Sequence, residues 1–139
     1  MKVLAVSLVV LAVLISVIPQ FTECQLHGYF MTLQNGLQVP MKCHWTARAE
    51  LALGIPLLGV GTTMFFSRRK ETSRLLGIVG AIIGVFVILL PGGLIGVCEN
   101  PAMLCTTLMK PALILMGVLV TGASLGAIGI SLGQEKLPE

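Results

Sequence analysis

Four apolar stretches dominate this chain, and each is long enough to cross a bilayer. A spanning helix needs about 20 mostly apolar residues to cover roughly 30 Å of hydrocarbon. The stretches run over residues 3–21, 45–66, 75–97 and 111–132. In lipid the backbone polar groups of such segments have to be satisfied within each segment, which selects the α-helix. Composition points the same way. Of 139 residues, 55% are hydrophobic and 11% charged, there is no Asp, and mean hydropathy is +0.97. Soluble domains carry about 25% charged residues and disordered chains combine low hydrophobicity with high charge, so both classes are excluded. Nine Lys and Arg residues with no soluble scaffold make nucleic acid an unexpected partner.

The second stretch is a full span only if it extends back from Leu51 to Trp45. Trp45 then sits at headgroup depth, where aromatic rings are favoured. Arg48 and Glu50 fall just inside the interface, where charge is costly unless paired or hydrated. The first stretch reads as a retained anchor. Its apolar run is long for a signal peptide, and Gln20-Phe21-Thr22-Glu23 lacks the small residues of a cleavage site. The link over residues 67–74 carries Arg68, Arg69, Lys70 and Arg74, and Lys2 and Lys136 lie on the same side. Lys42, Arg48 and Lys110 lie on the other. Basic residues mark the cytoplasmic side, so both termini are expected there.

All four cysteines fall in the two outer loops, Cys24 and Cys43 in residues 22–44, Cys98 and Cys105 in residues 98–110. Outer loops face an oxidising compartment, where disulfides persist. Four cysteines allow three connectivities. Pairing within each loop is the simplest; pairing across loops would tie the hairpins together. The expected fold is therefore an all-α, integral membrane four-helix bundle. It consists of two hairpins facing the same way, with a small disulfide-braced cap outside, as a single domain.

The outer residues also admit chemistry. A thiol-redox role is weakened by the lack of a Cys-x-x-Cys pair, the spacing that tunes a thiolate. A zinc or copper site could draw on His27, His44 and Cys43, with thioethers of Met31, Met41, Met103 and Met109 suiting Cu(I). Adjacent Cys43 and His44 do not make a standard finger, and no resident cofactor is expected. Inside the membrane, Gly80 and Gly84 line one face of the third helix, and Gly122, Gly126, Gly129 and Gly133 one face of the fourth. Such faces let helices approach closely, within this bundle or against a partner's helix. Pro56 is expected to kink the second helix, and Pro91-Gly92-Gly93 to interrupt the third near its outer end. The spans carry too little polarity for an ion pathway, and no triad or phosphate loop is present.

One segment stands apart. Residues 41–50 gather Cys43, His44, Trp45, Arg48 and Glu50 at the start of the second helix, a candidate outer-surface site. The match at Lys42, Cys43, His44, Trp45, Ala49 and Glu50 resembles an uncharacterised family of small four-span prokaryotic membrane proteins. Cys24, Cys98 and Cys105 also look similar to that family's remaining cysteines. The resemblance implies four spans in a prokaryotic cytoplasmic membrane and an association with export-type permeases. It implies no reaction. The function expected from the sequence is a non-enzymatic accessory or subunit of a larger membrane assembly. Its partners would be lipid and another membrane protein or a second copy. The alternative is a thiol-redox or zinc- or copper-handling protein working through the outer Cys and His residues.

Overall fold

A computed structural model describes residues 2–133; Lys136, counted above among the basic residues, lies outside them. Helix α1 spans Lys2–Thr22, α2 Lys42–Phe66, α3 Lys70–Leu89 and α4 Lys110–Gly133. A 3-10 turn, Cys24–His27, follows α1, and wider π-type turns, Leu90–Leu94 and Cys105–Met109, extend α3 and precede α4. Between α1 and α2 a short hairpin pairs β1 (Met31–Thr32) with β2 (Gln38–Val39) in antiparallel register, Met31 opposite Val39. With their turns, the four helices are each long and apolar enough to cross a membrane.

Each helix buries one stripe at helical spacing. On α1 it is Ala5, Leu8, Ala12, Ile15 and Pro19, and on α4 Leu113, Met116, Gly117, Val120, Ser124 and Ala127. The outward faces are Val, Leu, Ile and Phe, among them Val10, Val17, Ile82, Phe86, Leu115 and Val118. An apolar surface that wide is a liability in water and suits lipid. Lipid tails are as apolar as these side chains, so the helices associate through close backbone approach rather than hydrophobic drive. α1 lies against α2 and α3 against α4, with lighter contact of α1 on α4 and of α2 on α3.

Gly117 shows why small residues are required at the seams. A Cβ there would stand 2.5 Å from Ile88 Cγ1 and 3.0 Å from the Gly84 carbonyl oxygen. Gly77, Gly80 and Gly84 meet α4 in the same way. The glycines of α4 behave differently. Gly122, Gly126, Gly129 and Gly133 are exposed, with open space where a Cβ would go. That stripe does not build this bundle, because the inner face of α4 is the one carrying Gly117, Ser124 and Ala127. Sequence spacing identifies a glycine face but not the direction in which it points.

The prolines also resolve themselves locally. α2 runs unbroken through Pro56. At Pro91, which has no N–H to donate back, the helix widens into the π-type turn and then stops. Gly96 reverses the chain with φ +80°, a left-handed conformation open to glycine without a Cβ clash.

The two glycine classes should separate by mutation. Gly117→Leu is expected to cost about 1–3 kcal/mol by overpacking, and Gly126→Leu to stay within about 0.5 kcal/mol. Unfolding in detergent micelles measures both, and equal losses would contradict this reading of the seams.

Candidate functional site

Each cysteine sits close to a helix end. Cys24 opens the turn after α1, Cys43 is the second residue of α2, and Cys98 follows the chain reversal beyond α3. Cys105 opens the turn that leads into α4. Four helix ends meet at one end of the bundle, so four sulfurs meet there too. All four Sγ atoms lie within 4.8 Å of one another.

Cys24 and Cys105 are bonded, 81 residues apart in sequence, with Cα atoms 6.7 Å apart. Cys43 and Cys98 are free thiols. Cys98 Sγ lies 3.7 Å from Cys43 Sγ and 3.9 Å from Cys24 Sγ. Two thioethers complete the sulfur patch: Met41 Sδ is 3.7 Å from Cys98 Sγ, and Met103 Sδ is 3.9 Å from Cys24 Sγ. Cys24, Cys43 and Cys105 are at most 2% exposed, whereas Cys98 is partly exposed.

The pairing within each loop, Cys24 with Cys43 and Cys98 with Cys105, is not the one found. The reason is the neighbour relations of the helices. The end of α1 abuts the turn before α4, so Cys24 meets Cys105. Cys43 faces inward from α2 towards the segment after α3, and meets Cys98.

Side-chain bonds hold these ends together. Thr46 donates its hydroxyl to the Gly96 carbonyl at 2.7 Å, tying α2 to the reversal that carries Cys98. Thr106 donates to the Cys98 carbonyl. Gln20 Nε2 donates to the Ala47 carbonyl at 3.1 Å, and His44 Nδ1 pairs with Glu23 Oε2 at 2.9 Å, joining α1 to α2. Two open depressions reach the cluster. One of about 250 Å³ is lined by Cys98 together with Lys42, Glu99 and Lys110. The other, about 240 Å³, is lined by Cys24, Cys105, His27 and Tyr29.

The candidate set at the start of α2 is split by the helix. Cys43, Thr46, Ala47 and Glu50 follow the inward spacing, while Trp45 and Arg48 are exposed. Glu50 is not at the margin of the bundle. It is fully buried, and neither carboxylate oxygen has a hydrogen-bond partner among the described residues. It lies seven residues below Cys43, about 10 Å along the helix. The set His27, His44 and Cys43 is not brought together around one point: His44 is held by Glu23, and Cys43 is grouped with the other cysteines. The sequence offers Met41 and Met103 as thioethers suited to Cu(I) without tying them to particular cysteines. The available signal was a Met-x-Cys spacing in both loops, Met41-Lys42-Cys43 and Met103-Leu104-Cys105. Thr46 lies inside α2, which starts after Met41.

Four apolar, span-length helices whose outward faces are apolar are consistent with a multi-pass membrane protein. Over residues 3–130 the chain matches the family described as Domain of unknown function (DUF4418), and it belongs to that family. No curated protein and no solved structure matches it.

The Thr46 bond makes a measurable claim. Thr46→Val leaves the half-buried Gly96 carbonyl without this donor, which is expected to cost about 1 kcal/mol and to speed alkylation of Cys98. Thr46→Ser keeps the hydroxyl and should stay near the parent protein in both thermal unfolding and labelling rate.

Proposed function

We propose that this protein is a thiol–disulfide exchanger whose sulfur cluster faces the extracytoplasmic side of a prokaryotic cytoplasmic membrane, with both termini cytoplasmic. The observation that carries the reading is the position of Cys98. It is a partly exposed thiol within 4 Å of both a bonded cysteine, Cys24, and a second free thiol, Cys43. Exchange proceeds by attack of a thiolate on a disulfide sulfur. The Cys98 thiolate attacks Cys24. A Cys24–Cys98 bond forms, the Cys24–Cys105 bond breaks, and Cys105 leaves as a thiolate that takes a proton. Cys43 then attacks Cys98, giving Cys43–Cys98 and releasing Cys24. The disulfide has moved to the exposed sulfur with no net change of oxidation state.

An external dithiol can now attack Cys98 and expel Cys43. Its second thiol resolves the mixed disulfide. The external pair is oxidised by two electrons and two protons, and the cluster ends with four thiols. A second external disulfide restores the cluster by the reverse route. The orientation is supported by the basic residues Arg68, Arg69 and Lys70 at the end of the bundle opposite the cysteines.

Membership of a larger membrane assembly is the second reading. The outward Gly122, Gly126, Gly129 and Gly133 face of α4 favours it, because an open small-residue face admits another helix. Loss of a co-purifying partner or of self-association in Gly126→Leu would support that reading.

Exchange is tested on the purified oxidised protein under anaerobic conditions with a reduced dithiol peptide. One peptide disulfide should form for each protein disulfide lost, and Cys98→Ala should slow the transfer roughly tenfold or more. A peptide that stays reduced, or transfer indifferent to Cys98, would exclude exchange and leave the disulfide a brace.

A further inference from the structure

The geometry points to a Cu(I) site formed by the Cys43 and Cys98 thiolates and the Met41 thioether, compatible with an intact Cys24–Cys105 bond. Two of the three sulfur separations already stand at ligand spacing, both made by Cys98. Metal–thiolate bonds of about 2.3 Å place neighbouring ligands of a trigonal or tetrahedral shell about 3.8–4.0 Å apart. Cys98 Sγ is 3.7 Å from Cys43 Sγ and 3.7 Å from Met41 Sδ. Cys98 is thus already placed to share an ion with either of the other two sulfurs.

The donor set selects the ion. Thiolate and thioether are soft ligands that favour Cu(I). Zinc takes thiolate, imidazole and carboxylate, four in number for a closed site. With Cys24 and Cys105 bonded to each other, two thiols remain, and the neighbouring imidazole of His44 is engaged by Glu23 at 2.9 Å. Zinc is thus left short of ligands, while Cu(I) is satisfied by three sulfurs. Binding displaces the two thiol protons to water and involves no electron transfer. Two thiolates and one Cu(I) leave a single negative charge. Lys42 and Lys110 line the depression beside Cys98 together with Glu99, a net positive lining among the described residues that favours that charge. Access is through the same depression.

The site needs Cys43 and Cys98 as free thiols, as the exchange reading does, but needs no exchange. The experiment uses the full-length protein in detergent, with the Cys24–Cys105 bond retained and the two thiols verified by alkylation. Cu(I) is delivered anaerobically from a chromophoric chelator. The expected result is one Cu(I) per chain, a sulfur-only shell in X-ray absorption, and no displacement by an equal concentration of Zn(II). Met41→Leu should weaken Cu(I) roughly tenfold or more with both thiols still present. No binding by a protein with two titratable thiols would overturn the inference, as would nitrogen or oxygen in the shell of the parent protein. Unchanged affinity in Met41→Leu would remove the thioether and overturn the site as drawn. Copper binding without peptide oxidation sinks only the exchange reading, and peptide oxidation without copper binding sinks only this one.

Discussion

The bond between Cys24 and Cys105 joins the two helices farthest apart in the chain. α1 and α4 touch lightly along their length, and the rest of the bundle is two hairpins, each held by close backbone approach. In lipid no hydrophobic force drives one hairpin onto the other. A covalent tie across 81 residues does what burial cannot. By the chain-entropy account a closed loop of that length contributes about 4–5 kcal/mol. Once α1 and α4 are joined at that end, the start of α2 and the reversal after α3 are drawn over the same point. Thr46 bonding to Gly96 then places Cys98 above Cys43. The Cys24–Cys105 bond and the free thiols are parts of one arrangement.

The arrangement is most open at Cys98. The other three cysteines are at most 2% exposed, whereas Cys98 is partly exposed. A dithiol next to a disulfide with one accessible sulfur can pass the bond outward, or hold a soft cation while the bond stays in place. Both uses require Cys43 and Cys98 to be reduced, and a bound ion would occupy the sulfur that exchange requires. The two readings therefore compete for one thiol pair.

Hydropathy made the four helices legible, because crossing a membrane leaves a run of apolar residues that no other constraint interrupts. The placement of the cysteines towards the ends of these helices was legible for the same reason. Their partners were not. Spacing within a loop reports which cysteines are near in sequence, while the pairing follows from which helix ends adjoin. The glycine stripes show a similar limit. Gly80 and Gly84 face α4, and Gly122 to Gly133 face outward, yet both groups have the same spacing. Residues 41–50 look like one site when read as a string, but a helix sends Trp45 and Arg48 out and Cys43 and Glu50 in. Met41 and Met103 were legible as soft donors but not as neighbours of particular cysteines, since a thioether in a membrane protein is ordinarily apolar filling.

The central claim is the cross-hairpin connectivity, and mapping the disulfides of the unreduced protein tests it most directly. Free thiols would be alkylated in intact membranes before purification, and the digested peptides read by mass spectrometry. The account predicts a peptide linking Cys24 to Cys105, with alkylated Cys98 and, after unfolding in alkylating agent, alkylated Cys43. Peptides linking Cys24 to Cys43 and Cys98 to Cys105 would contradict it, because two bonds within loops leave no tie between α1 and α4 and no thiol at Cys98.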